Sequence, residues 1–520
     1  MSGGLLVTGT SSDAGKSLVT AGICRWLARC GLRVAPFKAQ NMALNSAVAA
    51  DGAEIGRAQA LQAAAAGAPT EAAMNPVLLK PTGERTSQVV VLGRPDGIAG
   101  AQDYQQRKTR LAGVVAESLA DLRARYDVVV CEGAGSPAEI NLRHADLANL
   151  GLARAADLPV VLVGDIDRGG AFASLYGTLA LLEPADQRLV AGFLLNKFRG
   201  DPEVLAPGLE QLAALTGRRV LGTLPWLEGA WLDVEDSLTL EAREVLAQPP
   251  VGDEGLDVAV ARLPRMSNFT DLDPLACEPG VDVRFTTRAD ELANADLAVI
   301  PGSKATVDDL AFCRERGLAR AVVERARRGA PVLGLCGGYQ MLGRAIIDDV
   351  ESAAGRVEGL GLLPIDTRFW AEKHTTWRVG TSPLFGGVPA GGYEIRHGRV
   401  SSDGDPWLVS DDGEVEGCVA GAVLGTSWHG LLEHDALRRR LLGWVADRRG
   451  RAFVPGEVSF EAVRERHLDR LGDLVADHAD TAALRALVVH GAPADLPVVP
   501  PAPAVPTTDS PHNSSHEVSA

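Results

Sequence analysis

No two cysteines in this chain stand at the spacing of a metal clamp or a redox pair. The seven (Cys24, Cys30, Cys131, Cys277, Cys313, Cys336 and Cys418) are scattered and odd in number, with no CxxC among them. Such a set argues against a disulfide framework or a zinc knuckle and reads as reduced, intracellular thiols. Cys24 and Cys30 fall on the first helical pattern. Long apolar runs are missing too: none approaches the roughly 18 residues a bilayer demands, which argues against a membrane role. The chain enters its first strand without a charged leader and apolar core, so no secretory signal is expected and the location reads as cytoplasmic. Positive charge is neither abundant nor clustered. With 51 basic against 67 acidic residues the net charge is −16, whereas a nucleic-acid surface needs grouped Lys and Arg. Arg438-Arg439-Arg440 and Arg448-Arg449 read as solvated helix faces. An anionic ligand stays open to the chain, because backbone amides and single lysines bind phosphate even in acidic proteins.

What is present is ordinary globular material, 46% hydrophobic and 23% charged over 520 residues. At about 150 residues per domain, that length suggests about three units. The first half alternates short apolar runs with helical patterns: Leu5-Leu6-Val7, a loop and a helix to about Arg29, then Arg33-Val34-Ala35-Pro36-Phe37 and an Ala-rich helix from about Glu54. Val89-Val90-Val91, a helix from about Tyr104 to Arg125, Asp127-Val128-Val129-Val130, Val160 to Val163 and Val190 to Leu195 follow. Continuous Val and Leu runs indicate strands buried on both faces, hence a mostly parallel sheet between helix layers. The rhythm fades around Pro249-Pro250, which places a linker over 238–256 between a first domain, 1–237, and a second α/β domain, 257–447. The second contains a helix from about Val307 to Arg328 and another from Tyr339 to Ile346. A helical segment, 448–490, comes next. The Pro-, Ser- and Thr-rich residues 491–520 read as a disordered tail.

Two stretches carry chemistry. The first is Gly9-Thr10-Ser11-Ser12-Asp13-Ala14-Gly15-Lys16-Ser17, between a strand and a helix. In that setting backbone amides and a helix start face phosphate oxygens, Lys16 reaches the outer phosphates, and the Ser17 hydroxyl ligates Mg²⁺. Thr10, Asp13, Ala14 and Gly15 complete the expected ATP contacts. Gly9 lies one residue further from Gly15 than in the common phosphate loop, a spacing similar to the dethiobiotin-synthetase branch. Glu132, at the C-terminal end of a buried strand, is the expected second metal ligand. Lys38, ending the second strand, is expected to meet a phosphate or a substrate carboxylate; a surface lysine is the plainer alternative. Asp165 and Asp167 either assist metal or substrate, or simply cap a turn.

The second stretch is Gly334-Leu335-Cys336-Gly337-Gly338, a strand-to-helix turn of the G-x-C-x-G kind. Small neighbours permit a strained nucleophile elbow, and the helix start that follows favours a thiolate. Nearby amides can serve as an oxyanion hole. The expected base is His429, in Ser427-Trp428-His429-Gly430, with His374 and His397 as rivals. A carboxylate should orient the imidazole. A glutamate two residues after the histidine, a common place for that carboxylate, is absent, since Gly430-Leu431 follows His429 and Glu433 lies four residues on. A dyad, or a carboxylate from elsewhere, is left to the structure.

Together these stretches resemble the glutamine-hydrolysing cobyric acid synthases. The resemblance rests on Lys38-Ala39-Gln40-Asn41-Met42-Ala43-Leu44-Asn45-Ser46 and on Glu132 to Leu142 (Glu-Gly-Ala-Gly-Ser-Pro-Ala-Glu-Ile-Asn-Leu). It continues through Asp165-Ile166-Asp167-Arg168-Gly169-Gly170, Pro264 to Asp271 (Pro-Arg-Met-Ser-Asn-Phe-Thr-Asp), the Cys336 elbow and Trp428-His429-Gly430. In this order, up to about residue 490, they are highly specific as a set. The resemblance implies an α/β protein: an N-terminal P-loop, dethiobiotin-synthetase-like parallel-sheet domain followed by a class I glutamine amidotransferase-like domain. It also implies a ligase that amidates the b, d, e and g carboxylates of adenosylcobyrinic acid a,c-diamide with ATP, Mg²⁺ and glutamine, using Cys336 and His429. Its partners would be the corrinoid and glutamine, with no nucleic acid or membrane, and with self-association left open. Glu139 and Asn141 lie inside a matching stretch without an assignable role. Three rival readings are an a,c-diamide synthase or other amidotransferase ligase, a partition- or chaperone-type ATPase, and an inactive glutaminase half kept for binding. The partition reading lacks a Lys-Gly-Gly opening before Gly15.

Overall fold

The computed structural model describes residues 3–83, 85–143, 146–229 and 248–500. The chain divides into two compact units. The smaller gathers Gly4–Lys16, Gly133–Pro225 and the residues from Ala479 onward. Its strands Gly3–Gly9, Val160–Asp165, Val190–Phe198 and Arg219–Pro225 run parallel, each hydrogen-bonded to the next. Val160, Val161 and Val163 are fully buried, as strands covered on both faces require. Helices Ala171–Ala180 and Pro202–Thr216 are the crossovers that parallel pairing demands. Of the tail expected from residue 491, the part beyond 500 lies outside the described residues. Within 491–500, Val499 is 3% exposed and its amide donates to Gln187 Oε1 at 2.7 Å.

The larger unit joins Ser17–Glu132 to Trp226–His478. In its first part, strands Val34–Phe37 and Val128–Glu132 pair in parallel, with Phe37 opposite Cys131. Residues 54–56 form a strand, and the Ala-rich helix begins later than expected, at Arg57–Ala66. Val89-Val90-Val91 belongs to strand Thr86–Val91, which pairs antiparallel with Val77–Pro81 in a separate four-stranded sheet. A continuous apolar run does not report strand direction, which explains why the sequence pattern grouped it with the parallel strands.

The second part is built on a six-stranded sheet. Val281–Thr286, Leu256–Ala261, Leu297–Ile300, Val332–Leu335 and Val423–Thr426 lie side by side in parallel, and Cys418–Ala420 closes the edge antiparallel. Side chains alternate between two cores. Val258, Val260, Val299, Leu333 and Leu335 pack toward Trp407, Trp428 and Leu441; Ala259, Ala261, Ala298, Ile300 and Val332 pack toward Tyr339, Met341 and Leu310. This period of two is the strand repeat itself. The helix expected over 307–328 is two, Thr306–Glu315 and Leu318–Arg327, separated at Gly317 with φ 75°. The helix after the thiol is short, Gly337–Leu342, and gives way to strand Ala345–Asp348. A long antiparallel pair, Ile365–Ser382 with Val388–Ser402, forms part of another sheet. Helices Phe460–His478 and Thr481–His490 occupy most of the segment expected to be helical, 448–490, and helix Asp435–Arg449 precedes them. One of the supposedly solvated arginines is not solvated: Arg438 is fully buried and pairs with Glu278 at 2.7 Å. Cys24 is buried on the first helix, and Cys30, just past its end, is exposed.

The two parts of this unit meet through polar contacts. Ser46 N donates to Asn268 Oδ1 at 3.0 Å, the Tyr393 hydroxyl to Ser46 O at 3.2 Å, and Trp377 Nε1 to Val48 O at 3.1 Å.

Candidate active sites

The N-terminal loop is folded tightly on its own backbone. Ser12–Ala14 form a single 3₁₀ turn, and Gly15 follows at φ 92°, a conformation that glycine adopts without strain. A Cβ there would stand 2.1 Å from Asn196 Nδ2, which donates to Ala14 O at 3.0 Å. The Thr10 amide donates to Val163 O. Asp13 accepts from Arg168 at 2.9 Å through its side chain and from Lys197 at 2.7 Å through its carbonyl. Lys16 is 5% exposed, and its Nζ donates to Ser11 O at 2.7 Å and Ser12 O at 3.2 Å. Asp165 accepts from Lys197 at 2.8 Å and closes its own turn by accepting from the Asp167 amide; Asp167 faces Arg199 at 3.4 Å. Glu139 and Asn141 are exposed.

Ser17, Lys38 and Glu132 converge. Glu132 is 0% exposed, at the end of its strand. Its Oε1 accepts from Ser17 Oγ at 2.8 Å and Lys38 Nζ at 2.9 Å, and its Oε2 accepts from Gln62 Nε2 at 2.5 Å. Burial alone would raise this carboxyl, but the Lys38 ammonium and the three hydrogen bonds hold it below the usual carboxylate range. A buried, ionised carboxylate beside a serine hydroxyl is a hard-oxygen pair suited to a small divalent cation that takes its remaining ligands from water and phosphate. No cluster of three His, Cys, Asp or Glu fit to hold a metal occurs among the described residues. Gln62 was not anticipated, because an amide inside an Ala-rich helix carries no pattern that marks it.

Cys336 and His429 arrive from neighbouring strands. Leu335 and Thr426 are register partners in Val332–Leu335 and Val423–Thr426, so the residues just past both C-terminal ends are presented together. Cys336 has φ 47° and ψ −105°, a strained conformation for a residue with a Cβ. Strain of this kind persists only when its surroundings enforce it, and they do. A Cβ at Gly338 would stand 2.0 Å from Ile300 O, and one at Gly334 would stand 2.9 Å from the Tyr339 amide nitrogen. Alanine at Gly338 is therefore expected to displace the elbow, costing about 1–3 kcal/mol by overpacking. A lowered melting temperature together with lost glutamine hydrolysis would show it.

The orienting carboxylate is Asp271. His429 Nδ1 lies 2.6 Å from Asp271 Oδ2, and the Gly430 amide donates to Asp271 Oδ1 at 2.8 Å, so both oxygens are fixed. All three side chains are nearly inaccessible: Cys336 7%, His429 2% and Asp271 5% exposed. Burial would lower His429, but the charge of the Asp271 carboxylate and of the Cys336 sulfur, with the hydrogen bonds to both, raises it to about 10. Glu433, the other carboxylate considered, is turned away to Arg464 at 2.9 Å and Arg57 at 3.3 Å. The rival histidines are otherwise engaged. His374 faces Glu394 at 3.2 Å, and His397, lowered by burial, lies 3.1 Å from Gln88. Asp271 ends the stretch Pro264–Asp271 already singled out in the sequence, but nothing in its spacing connects it to a histidine 158 residues away.

A phosphate-type loop with its buried carboxylate and a thiol elbow with its oriented imidazole define a nucleotide-binding glutamine amidotransferase. The chain matches the CobQ/CobB/MinD/ParA nucleotide binding domain over residues 5–239 and the CobB/CobQ-like glutamine amidotransferase domain over residues 257–437. It is 60% identical to a cobyric acid synthase of Frankia casuarinae across 96% of this chain and 99% of that one. It is 58% identical to one of Streptomyces coelicolor with the same shares. The chain belongs to the cobyric acid synthase family. A solved glutamine amidotransferase structure aligns over 37% of this chain and 98% of its own, at TM-score 0.29 and 19% identity. No helix among the described residues is long and apolar enough to cross a membrane.

Proposed function

We propose that the protein is a glutamine-hydrolysing, ATP-driven ligase of cobalamin biosynthesis. It amidates the b, d, e and g carboxylates of adenosylcobyrinic acid a,c-diamide to give adenosylcobyric acid. The observation that carries this reading is the strained Cys336 elbow beside an imidazole held by Asp271, in a chain that also carries the phosphate loop.

At the thiol site, His429 takes the Cys336 proton. The sulfur attacks the side-chain amide carbon of glutamine, and the imidazolium returns a proton to the departing nitrogen. Water then cleaves the thioester to glutamate. Asp271 fixes which imidazole nitrogen faces the sulfur and stabilises the positive charge as it forms. Asparagine at Asp271 is accordingly expected to slow glutamine hydrolysis roughly 10⁴-fold by holding the wrong tautomer, with ammonium-driven amidation unchanged. Because the carboxylate is the foremost influence raising His429, the alkaline limb of the residual pH–rate profile should move to lower pH in that variant. An unmoved limb would contradict the assignment.

At the nucleotide site, a corrinoid carboxylate is a poor electrophile until ATP converts it to an acyl phosphate. Phosphoryl transfer asks chiefly for positioning and charge neutralisation. Asp13, Ala14 and Gly15 wrap the phosphates with backbone amides, Thr10 offers its hydroxyl at the start of the loop, Lys16 neutralises the outer charge, and Lys38 lies beside Glu132 to meet phosphate or the substrate carboxylate. Ser17 and Glu132 would hold Mg²⁺, which supplies further neutralisation when bound.

The test is mass spectrometry of the corrinoid after incubation with Mg-ATP and glutamine. Four successive acid-to-amide exchanges on the a,c-diamide are expected. Two exchanges on cobyrinic acid itself, and none on the a,c-diamide, would mark an a,c-diamide synthase instead.

A further inference from the structure

Cys336 opens onto a pocket whose walls include Lys80, Lys304, Lys373, Arg396 and Glu351. Lys304 pairs with Glu351, and Arg396 pairs at 2.8 Å with Glu394, which Arg378 also reaches at 3.4 Å while pairing with Asp412 and Glu414. Lys80 and Lys373 share one carboxylate. Glu54, 0% exposed, accepts from Lys80 at 2.6 Å and from the Ser46 hydroxyl at 2.8 Å through Oε1, while Lys373 pairs with its Oε2. Two ammonium groups on one buried carboxylate leave positive charge in excess on the wall of the pocket that Cys336 also lines. His397, on the same wall, adds none when neutral, and burial lowers it toward that form.

A second cation in such a place is disfavoured by burial and by like charge. Lys373 itself registers the effect. Burial lowers it to about 8, Lys80 and Lys304 push the same way, and Glu54 only partly opposes them. Ammonia freed at Cys336 is a base of the same kind. It leaves as neutral NH₃ once the glutamine C–N bond breaks and His429 supplies the third hydrogen. Were it then to take up another proton, it would become ammonium, which has no lone pair for attack.

We propose that Lys80 and Lys373, clamped on Glu54, keep the ammonia released at Cys336 unprotonated, and so determine that a neutral nucleophile rather than ammonium leaves the pocket. The inference rests on the glutaminase reading above and adds what becomes of its product.

The test compares Lys373→Met with Lys373→Arg in the full-length protein. It reads amide formed per glutamine hydrolysed from mildly acidic to alkaline buffer. Methionine leaves Lys80 and Glu54 as a matched pair. The ratio is expected to fall several-fold at mildly acidic pH and recover in alkaline buffer, with glutamine hydrolysis and ammonium-driven amidation each retained. Arginine keeps the charge and should keep the ratio. A ratio in Lys373→Met that matches the unsubstituted protein at every pH would overturn the proposal. So would a raised KM for glutamine with the ratio unchanged, because it would assign the lysines to the glutamine carboxylate. If Lys373→Met does not fold, Lys80→Met removes the same excess from the other side and is judged by the same outcomes. Failure of the underlying reading would appear separately, as no glutamine hydrolysis by the unsubstituted protein.

Discussion

Alanine in place of Cys336 is expected to abolish glutamine-driven amidation while leaving amidation with concentrated ammonium salts intact. The glutamine-driven rate should fall by roughly four to six orders of magnitude, as when a nucleophile is removed from a unit that works only whole. The retained ammonium-driven rate follows from the independence of the two sites. None of the hydrogen bonds described for the Ser17, Lys38 and Glu132 side chains involves Cys336; they join these residues to one another and to Gln62. The substitution is also gentle on the fold. Alanine keeps the Cβ that the elbow already accommodates at φ 47°, so lost stability would not explain lost turnover. Loss of both activities would refute independent sites.

Alanine in place of Lys16 is expected to do the opposite. Amidation should fail with glutamine and with ammonium alike, by roughly 10³-fold or more, the scale on which single cations contribute to phosphoryl transfer. The lysine is buried and its ammonium donates only to loop carbonyls among the hydrogen bonds described, those of Ser11 and Ser12. Those bonds hold the ammonium at the loop, where the charge of a bound phosphate is expected. Glutamine hydrolysis measured alone should persist, because Asp271, His429 and Cys336 owe nothing to this loop. A Lys16→Ala protein that amidates normally with ammonium would remove the phosphate loop from the reaction.

The two halves of the chemistry were unequally legible in the sequence. The phosphate loop and the thiol elbow are local: each is a strand end, a tight turn and a helix start, and glycine betrays both. The structure shows why glycine is needed, at Gly15 against Asn196 and at Gly338 against the Ile300 carbonyl. Glu132 stands out for a similar reason, as a carboxylate ending a buried strand that opens with three valines. What remained hidden is what long-range pairing creates. Asp271 meets His429 only because a loop after one strand of the sheet lies against a loop after another. Glu433, four residues from His429, was the nearest carboxylate along the chain, yet its helix turn directs it to Arg57 and Arg464. Arg438 looked solvated amid two other arginines, but its position on the helix face buries it against Glu278. The Lys80–Glu54–Lys373 cluster draws on three separate strands and leaves no local signature at all. Charge in a sequence reports how much there is, not which groups share it.

The account stands on nitrogen passing from glutamine to a carboxylate activated on the same polypeptide. The most direct measurement supplies glutamine labelled with heavy nitrogen in its side-chain amide, together with Mg-ATP and the corrinoid a,c-diamide, in a buffer containing unlabelled ammonium. The account predicts that the new corrinoid amides carry the heavy nitrogen. Amides filled with unlabelled nitrogen, or glutamine consumed with the corrinoid left unchanged, would contradict it.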